Sequence, residues 1–190
     1  MSLTLISPPE AEPLPLADLK AFLKVDGAGE DALIGSIATA ARAHLEALTA
    51  KAFVTQGWRI RRDAWAAHGR MTFPIGPVAS LDAVTVTRVA GEVSLPLDLF
   101  RLDGDGLPPR LSWTPSVVPM PAVPMAGIAI DVTAGYGGPG DVPAPLVQAV
   151  RLLAAHWYEN RTLVTVGHEV AVMPRTVEAL IAPFLVRRVA

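Results

Sequence analysis

The sequence predicts an α+β fold in which segments from the two ends of the chain build a helical core and a β-rich subdomain is inserted between them. Three observations predict it. Apolar residues recur at three and four residues through GAGEDALIGSIATAARAHLEALTA, as on one face of a helix. From Phe53 the apolar period falls to two, as on a strand whose faces differ. Beyond Pro143 the spacing of three and four returns. The chain therefore reads as an extended lead over 1–15, a first helical part over 16–52, a β-rich insertion over 53–134 and a second helical part over 135–190.

Each element has a local reason. LADLKAFLKV offers a short helix with Leu16, Leu19 and Leu23 on one side. The long helix that follows carries Ile34, Ile37, Ala38, Ala41, Leu45 and Leu48 as its apolar stripe, with Glu30 and Asp31 where the N-terminal dipole favours acids. In WRIRRDAW, Trp58, Ile60 and Arg62 point one way and Arg59, Arg61 and Asp63 the other. MTFPI, SLDAVTVTRV and EVSLPLDLFRL continue the strands, with turns at Gly76–Pro77 and Ala90–Gly91. DGDGLPPRLSW is a hairpin candidate, and SVVPMPAVPM holds too many prolines for a central strand. GIAIDVTAGY is a strand closed by the glycine-rich GYGGPGDVP. Pro143 and Pro145 then open a helix at its first turn, where a missing N–H costs nothing. Leu146, Val150, Leu153 and Trp157 form its stripe, widened by Val147, Ala154 and Tyr158. TLVTVGHEVAV is a loop or short extended piece, and the last helix begins at Pro174 and ends or kinks near Ala182, before Pro183.

Composition narrows the function classes. Of 190 residues, 51% are hydrophobic and 18% charged, enough for a real core in one domain with a subdomain. A net charge of −2 does not describe a basic DNA-binding module. Cysteine is absent, so disulfides, thiolate catalysis and Cys-ligated zinc are excluded. No apolar run approaches the roughly 20 residues of a membrane span. MSLTLISPPEAEPLPL has no basic n-region and breaks into prolines, unlike a signal peptide.

Candidate chemistry is sparse. AAHWYENRTL gathers His156, Glu159, Asn160 and Arg161 beside two aromatics, but a zinc-binding HExxH needs a second His four residues on, and neither His156 nor His168–Glu169 has one. GYGGPGD (135–141) has the strand–glycine–helix order of a phosphate loop, yet no lysine follows Lys51 and three prolines remove amide donors. It reads as a turn that hands a strand over to a helix. DGDG (103–106) lacks the downstream Glu of a calcium loop. Arg59, Arg61 and Arg62 are the densest basic group; Arg59 and Arg61 on one strand face could meet phosphate, or pair with acids such as Asp63 or a neighbouring chain's carboxylates. No catalytic residue, cofactor or metal ligand is assigned. A small hydrolase or nucleotide-binding protein using the glycine turn, and a DNA-binding module using the arginines, stay open as alternatives. So apolar a chain without such a constellation points towards assembly, where partners cover the extra apolar surface.

EDALIGSIATAARAHLEALTAKAFVTQGWRIRRDAW resembles the opening of the phage head–tail connector (adaptor) family, whose members occur in tailed phages, prophages and gene transfer agents. Glu30, Asp31, Leu33, Ile34, Ile37, Ala40, Ala41, Arg42, Leu45, Glu46, Thr49, Gln56, Trp58, Asp63 and Trp65 match its pattern, and Ala50 stands where the family usually has Gly. VTAGYGGPGDVPAPLVQAVRLLAAHWYENR and MPRTVEALIAPFLVRR are similar to later family segments, so the resemblance runs from about Leu16 to Arg188. It implies a structural protein of the virion: a homo-oligomeric ring, typically of twelve subunits, between the portal protein and a tail-side stopper or tail terminator protein. DNA would pass through its lumen without sequence-specific binding, and no membrane or cofactor is involved. Tyr158, Glu159 and Arg161 would then lie at a subunit interface. Phe184, Leu185, Val186, Arg187, Arg188 and Val189 would dock on the portal, with the apolar side chains as anchors and the arginines steering.

Overall fold

A computed structural model describes residues 1–160, 164–165, 168–169 and 173–185. The chain forms two compact units, one from residues 1–10 and 54–136, the other from 11–53 and 137–190. The fold is α+β.

The first unit is built of strands. A five-stranded sheet takes the order β1 (Ser2–Ser7), β2 (Gln56–Arg62), β8 (Ile128–Ala134), β4 (Val78–Arg88) and β5 (Gly91–Ser94). A three-stranded sheet takes the order β3 (Arg70–Thr72), β7 (Arg110–Trp113) and β6 (Phe100–Asp103). Every pairing in both is antiparallel. β8 sits at the centre of the larger sheet and buries Ile128, Ile130, Val132 and Ala134 on alternate positions, so its register is fixed by the core face. Ile128, Ile130 and Val132 share one core with Ile60, Val84 and Val86 from the same sheet, and with Met71, Leu111 and Trp113 from the smaller one. Trp65, Phe100 and Trp113 fill its end with ring centroids 5.0–6.4 Å apart. The proline-rich 116–125 is a loop, and it is anchored: Val118 is buried and Trp65 Nε1 donates to the Pro119 carbonyl at 2.9 Å.

The lead is not a free extension, because Ser2–Ser7 pairs along β2 from Ser2 opposite Arg61 to Ser7 opposite Gly57. All six of its residues are exposed. Its stability comes from the hydrogen-bonded ladder rather than from burial.

The second unit holds α1 (Leu16–Leu23), α2 (Asp31–Thr49), α3 (Ala144–Glu159) and α4 (Arg175–Ile181), with a two-residue hairpin of β9 (Val164–Thr165) and β10 (His168–Glu169). α3 packs against the other three helices. Its buried Leu146, Ala149, Val150, Leu153 and Ala154 meet a core that includes Ile34, Ala38, Ala41 and Leu45 of α2 and Val177 and Ile181 of α4. Pro143 caps α3 and Pro145 lies in its first turn. α4 ends at Ile181 and tightens into a 3₁₀ turn over Ala182–Phe184, as Pro183 requires.

Two expected stripe residues of α2 differ. Leu48 is exposed and Ile37 only half-buried, because the buried face of α2 runs through Ile34, Ala38, Ala41, Leu45 and Thr49. Trp157 is half-buried and stands edge-on to His44, with ring centroids 5.7 Å apart.

Candidate functional site

The stretch from Ala154 to Asn160 is the end of a packed helix. Asn160 closes α3 with two bonds to the His156 carbonyl, from its backbone N–H at 3.0 Å and its side-chain Nδ2 at 2.9 Å. The Tyr158 hydroxyl donates to the Glu30 carboxylate and so ties the end of α3 to the start of α2. Glu159 is exposed, and Arg161 lies outside the described residues. Among the described residues no group of three or more His, Asp and Glu is placed to hold a metal ion.

The glycine turn is occupied by its own chain. Gly135 takes a positive φ of 135°, and a Cβ there would stand 2.6 Å from the Val54 carbonyl oxygen, so only glycine fits without strain. Further along, the Gly138 N–H donates at 2.8 Å to the Asp141 carboxylate. A phosphate would have to displace that acid. DGDG is the hairpin turn between β6 and β7, and Asp103 accepts two hydrogen bonds from Arg110.

The arginines divide by partner. Arg59 lies across the strand pair from Asp131 and makes a fork of two 2.7 Å hydrogen bonds to it. Those bonds and the carboxylate charge hold its guanidinium above the usual range. Asp63 takes no part; it accepts the Ala126 N–H at 2.8 Å. Arg61 is exposed on the same strand. The sequence reading missed a larger group. Antiparallel register puts Arg70, Ser112 and Arg101 in one row across β3, β7 and β6, and Thr72, Arg110 and Asp103 in the next. Alternation sends their neighbours Met71, Leu111 and Trp113 into the core. With Arg62 and His68 they line a groove of about 640 Å³. These arginines are 8 to 48 residues apart in sequence; strand register gathers Arg70, Arg101 and Arg110, and Arg62 comes to them from β2 of the larger sheet.

A second missed feature lies on α2. Leu33, Ile37, Ala40, His44 and Ala47 recur at three and four residues on a face that flanks the buried one. Leu33, Ala40 and Ala47 are exposed and Ile37 and His44 half-buried. A helix with apolar residues on a second face has surface for a partner. At the C-terminal end, Phe184 is half-buried and Leu185 exposed; Val186, Arg187, Arg188 and Val189 lie outside the described residues.

No family model matches the chain, and no curated protein does. Solved particle structures do. A chain in the neck of an empty gene transfer agent particle, computed with C6 symmetry, is 34% identical over 100% of this chain and 98% of its own, with a TM-score of 0.85. The virion of a native gene transfer agent particle contains one with the same identity, coverage and TM-score. The neck of the native particle, computed with C12 symmetry, contains one with the same identity and coverage and a TM-score of 0.80. A fold made of packing helices and sandwiched strands, similar from end to end to chains of these particles, defines a structural protein of a virion. The chain belongs to the phage head–tail connector (adaptor) family.

Proposed function

We propose that this chain is the adaptor subunit of the neck: a ring-forming, non-catalytic protein held between the portal and a tail-side stopper or tail terminator, with DNA passing through the lumen. The observation that carries the reading is the second face of α2, where Leu33, Ala40 and Ala47 are exposed beside the half-buried Ile37 and His44, on a helix whose other face already fills a core. A head-to-tail contact repeated by rotation closes into a ring, and such a stripe suits the side-by-side packing that a ring needs. The symmetry of the similar necks, C6 and C12, supports a ring of twelve.

In this reading the end of α3 contributes Tyr158, Glu159 and Arg161 to the same subunit contact. The C-terminal segment, Phe184 to Val189, docks on the portal through its apolar side chains, with Arg187 and Arg188 meeting portal carboxylates. Helix α4 ends before that segment, at Ile181, with Val177 and Ile181 buried. A chain truncated after Pro183 should therefore fold but fail to bind purified portal in a pull-down. Wild-type binding by the truncated chain would move the portal contact elsewhere. The near-neutral net charge suits a conduit, because each neutralised phosphate adds affinity that would slow DNA passage.

A further inference from the structure

The groove on the outer face of β3, β7 and β6 is lined by four arginines and one carboxylate, Asp103. Neighbouring strands lie about 4.8 Å apart, so Arg70 and Arg101 stand roughly 10 Å apart across β7. Arg62 joins them at the groove. Of the four arginines there, Arg110 has a carboxylate, Asp103. Among the described residues Arg62, Arg70 and Arg101 have no ion pair. Like charges gathered around a concavity repel one another until an anion enters.

We propose that this groove receives an acidic segment of a neighbouring protein in the neck, an extended stretch with two or three carboxylates around a small apolar side chain. The proposal rests on the reading of the chain as a neck subunit. The guanidinium fork matches a carboxylate bidentately. Ala66, which also lines the groove, accepts the apolar side chain. Three features favour a protein segment over DNA. The Asp103 carboxylate shares the face and would repel a run of phosphates, whereas a protein segment can set an N–H or hydroxyl against it. The aromatics on which bases would stack, Trp65, Phe100 and Trp113, pack against one another in or against the core. The volume is that of a pocket for a short chain or small ligand.

The test places the photo-crosslinker p-benzoylphenylalanine at Ser112, between Arg70 and Arg101, in the full chain assembled into particles. Thr72 on the same face is the second position, in case bulk at Ser112 blocks the groove. After irradiation, mass spectrometry should find attachment to a neck protein, within three residues of an Asp or Glu. Arg70→Gln with Arg101→Gln should cut the yield at least tenfold in particles that hold the normal amount of chain. Attachment to DNA, attachment to a segment without acids, an undiminished yield in the double variant, or no attachment at either position in particles containing the chain would each overturn the proposal. Absence of the chain from particles, read by immunoblot, would instead remove the neck reading and the proposal with it.

Discussion

At the scale of single residues, the helical unit turns on Arg42. Its Nε donates at 2.7 Å to Glu12 and its Nη1 at 2.6 Å to Glu46, whose other oxygen accepts the Phe53 N–H at 2.7 Å. Burial pulls the guanidinium down, but the Glu12 hydrogen bond and the charges of Glu46 and Glu12 outweigh it and leave Arg42 raised. The family pattern marks Arg42 and Glu46, but Glu12 lies 30 residues away in the lead, a distance no local pattern spans. Arg42→Ala would leave two carboxylates facing a vacated cation site and should cost about 3–5 kcal/mol. Glu46→Ala should cost about 1–3 kcal/mol more than Glu46→Gln, because the buried Phe53 N–H loses its acceptor. Chemical denaturation measures both, and equal losses for the two Glu46 variants would contradict the capping role. Lys51 acts in the opposite sense. It is 5% exposed, and burial lowers its pKa from the usual 10.5. Between the lowered folded value and the unfolded one, the unfolded chain binds more protons, so stability rises with pH across that window. Below it the full cost of the buried charge remains. Lys51→Met should therefore melt higher than wild type at pH 7, and the gap should narrow as pH rises towards 10. A gap independent of pH would show that the ammonium is solvated.

At the scale of elements, the helices were legible in the sequence because each buries one stripe, and their ends were legible because proline and glycine act locally. Pro145 in the first turn of α3 and Pro183 after α4 behave as their chemistry dictates. The hairpins at Ala90–Gly91 and at DGDG were readable for the same reason. β1 was not: Leu3 and Leu5 alternate with Ser2 and Thr4, but the stretch is short and its pairing with the distant β2 is written nowhere in it. The arginine groove was not either, because register between distant strands is written nowhere in a single segment. The end of α2 is instructive. Ala50 takes the left-handed conformation, with φ 52° and ψ 38°, and its N–H bonds the Glu46 carbonyl. The cap therefore forms without the glycine usual in the family. A residue with a Cβ pays about 1–2 kcal/mol there, and glycine's greater freedom in the unfolded chain returns roughly half of that. Ala50→Gly should raise stability by about 0.5–1 kcal/mol, read as a higher melting temperature with an unchanged denaturant m-value. A loss would mean that the Ala50 methyl packs more tightly than its conformation costs.

At the scale of the whole molecule, the proposed ring contact would divide α2 into a face for folding and a face for assembly. The face of Ile34, Ala38, Ala41 and Leu45 is spent inside the unit. Leu33, Ala40 and Ala47 are exposed, so substitutions there should move stability by no more than about 0.5 kcal/mol. If the stripe is the contact between ring subunits, Leu33→Glu with Ala40→Glu must bring a charge against an apolar neighbour at every interface. Burying an unpaired carboxylate costs several kcal/mol, and rotational symmetry repeats that cost around the ring. The double variant should therefore melt within about 2 °C of wild type as an isolated chain. Mixed with purified portal, it should fail to give the ring seen with wild type by native mass spectrometry. The conservative pair Leu33→Met with Ala40→Ser keeps the stripe free of charge and should assemble. Rings of normal size from the glutamate variant would clear α2 of the contact and leave the end of α3, with Glu159, to carry it. Loss of the fold in that variant would instead show that Leu33 packs inside the unit more than its exposure indicates.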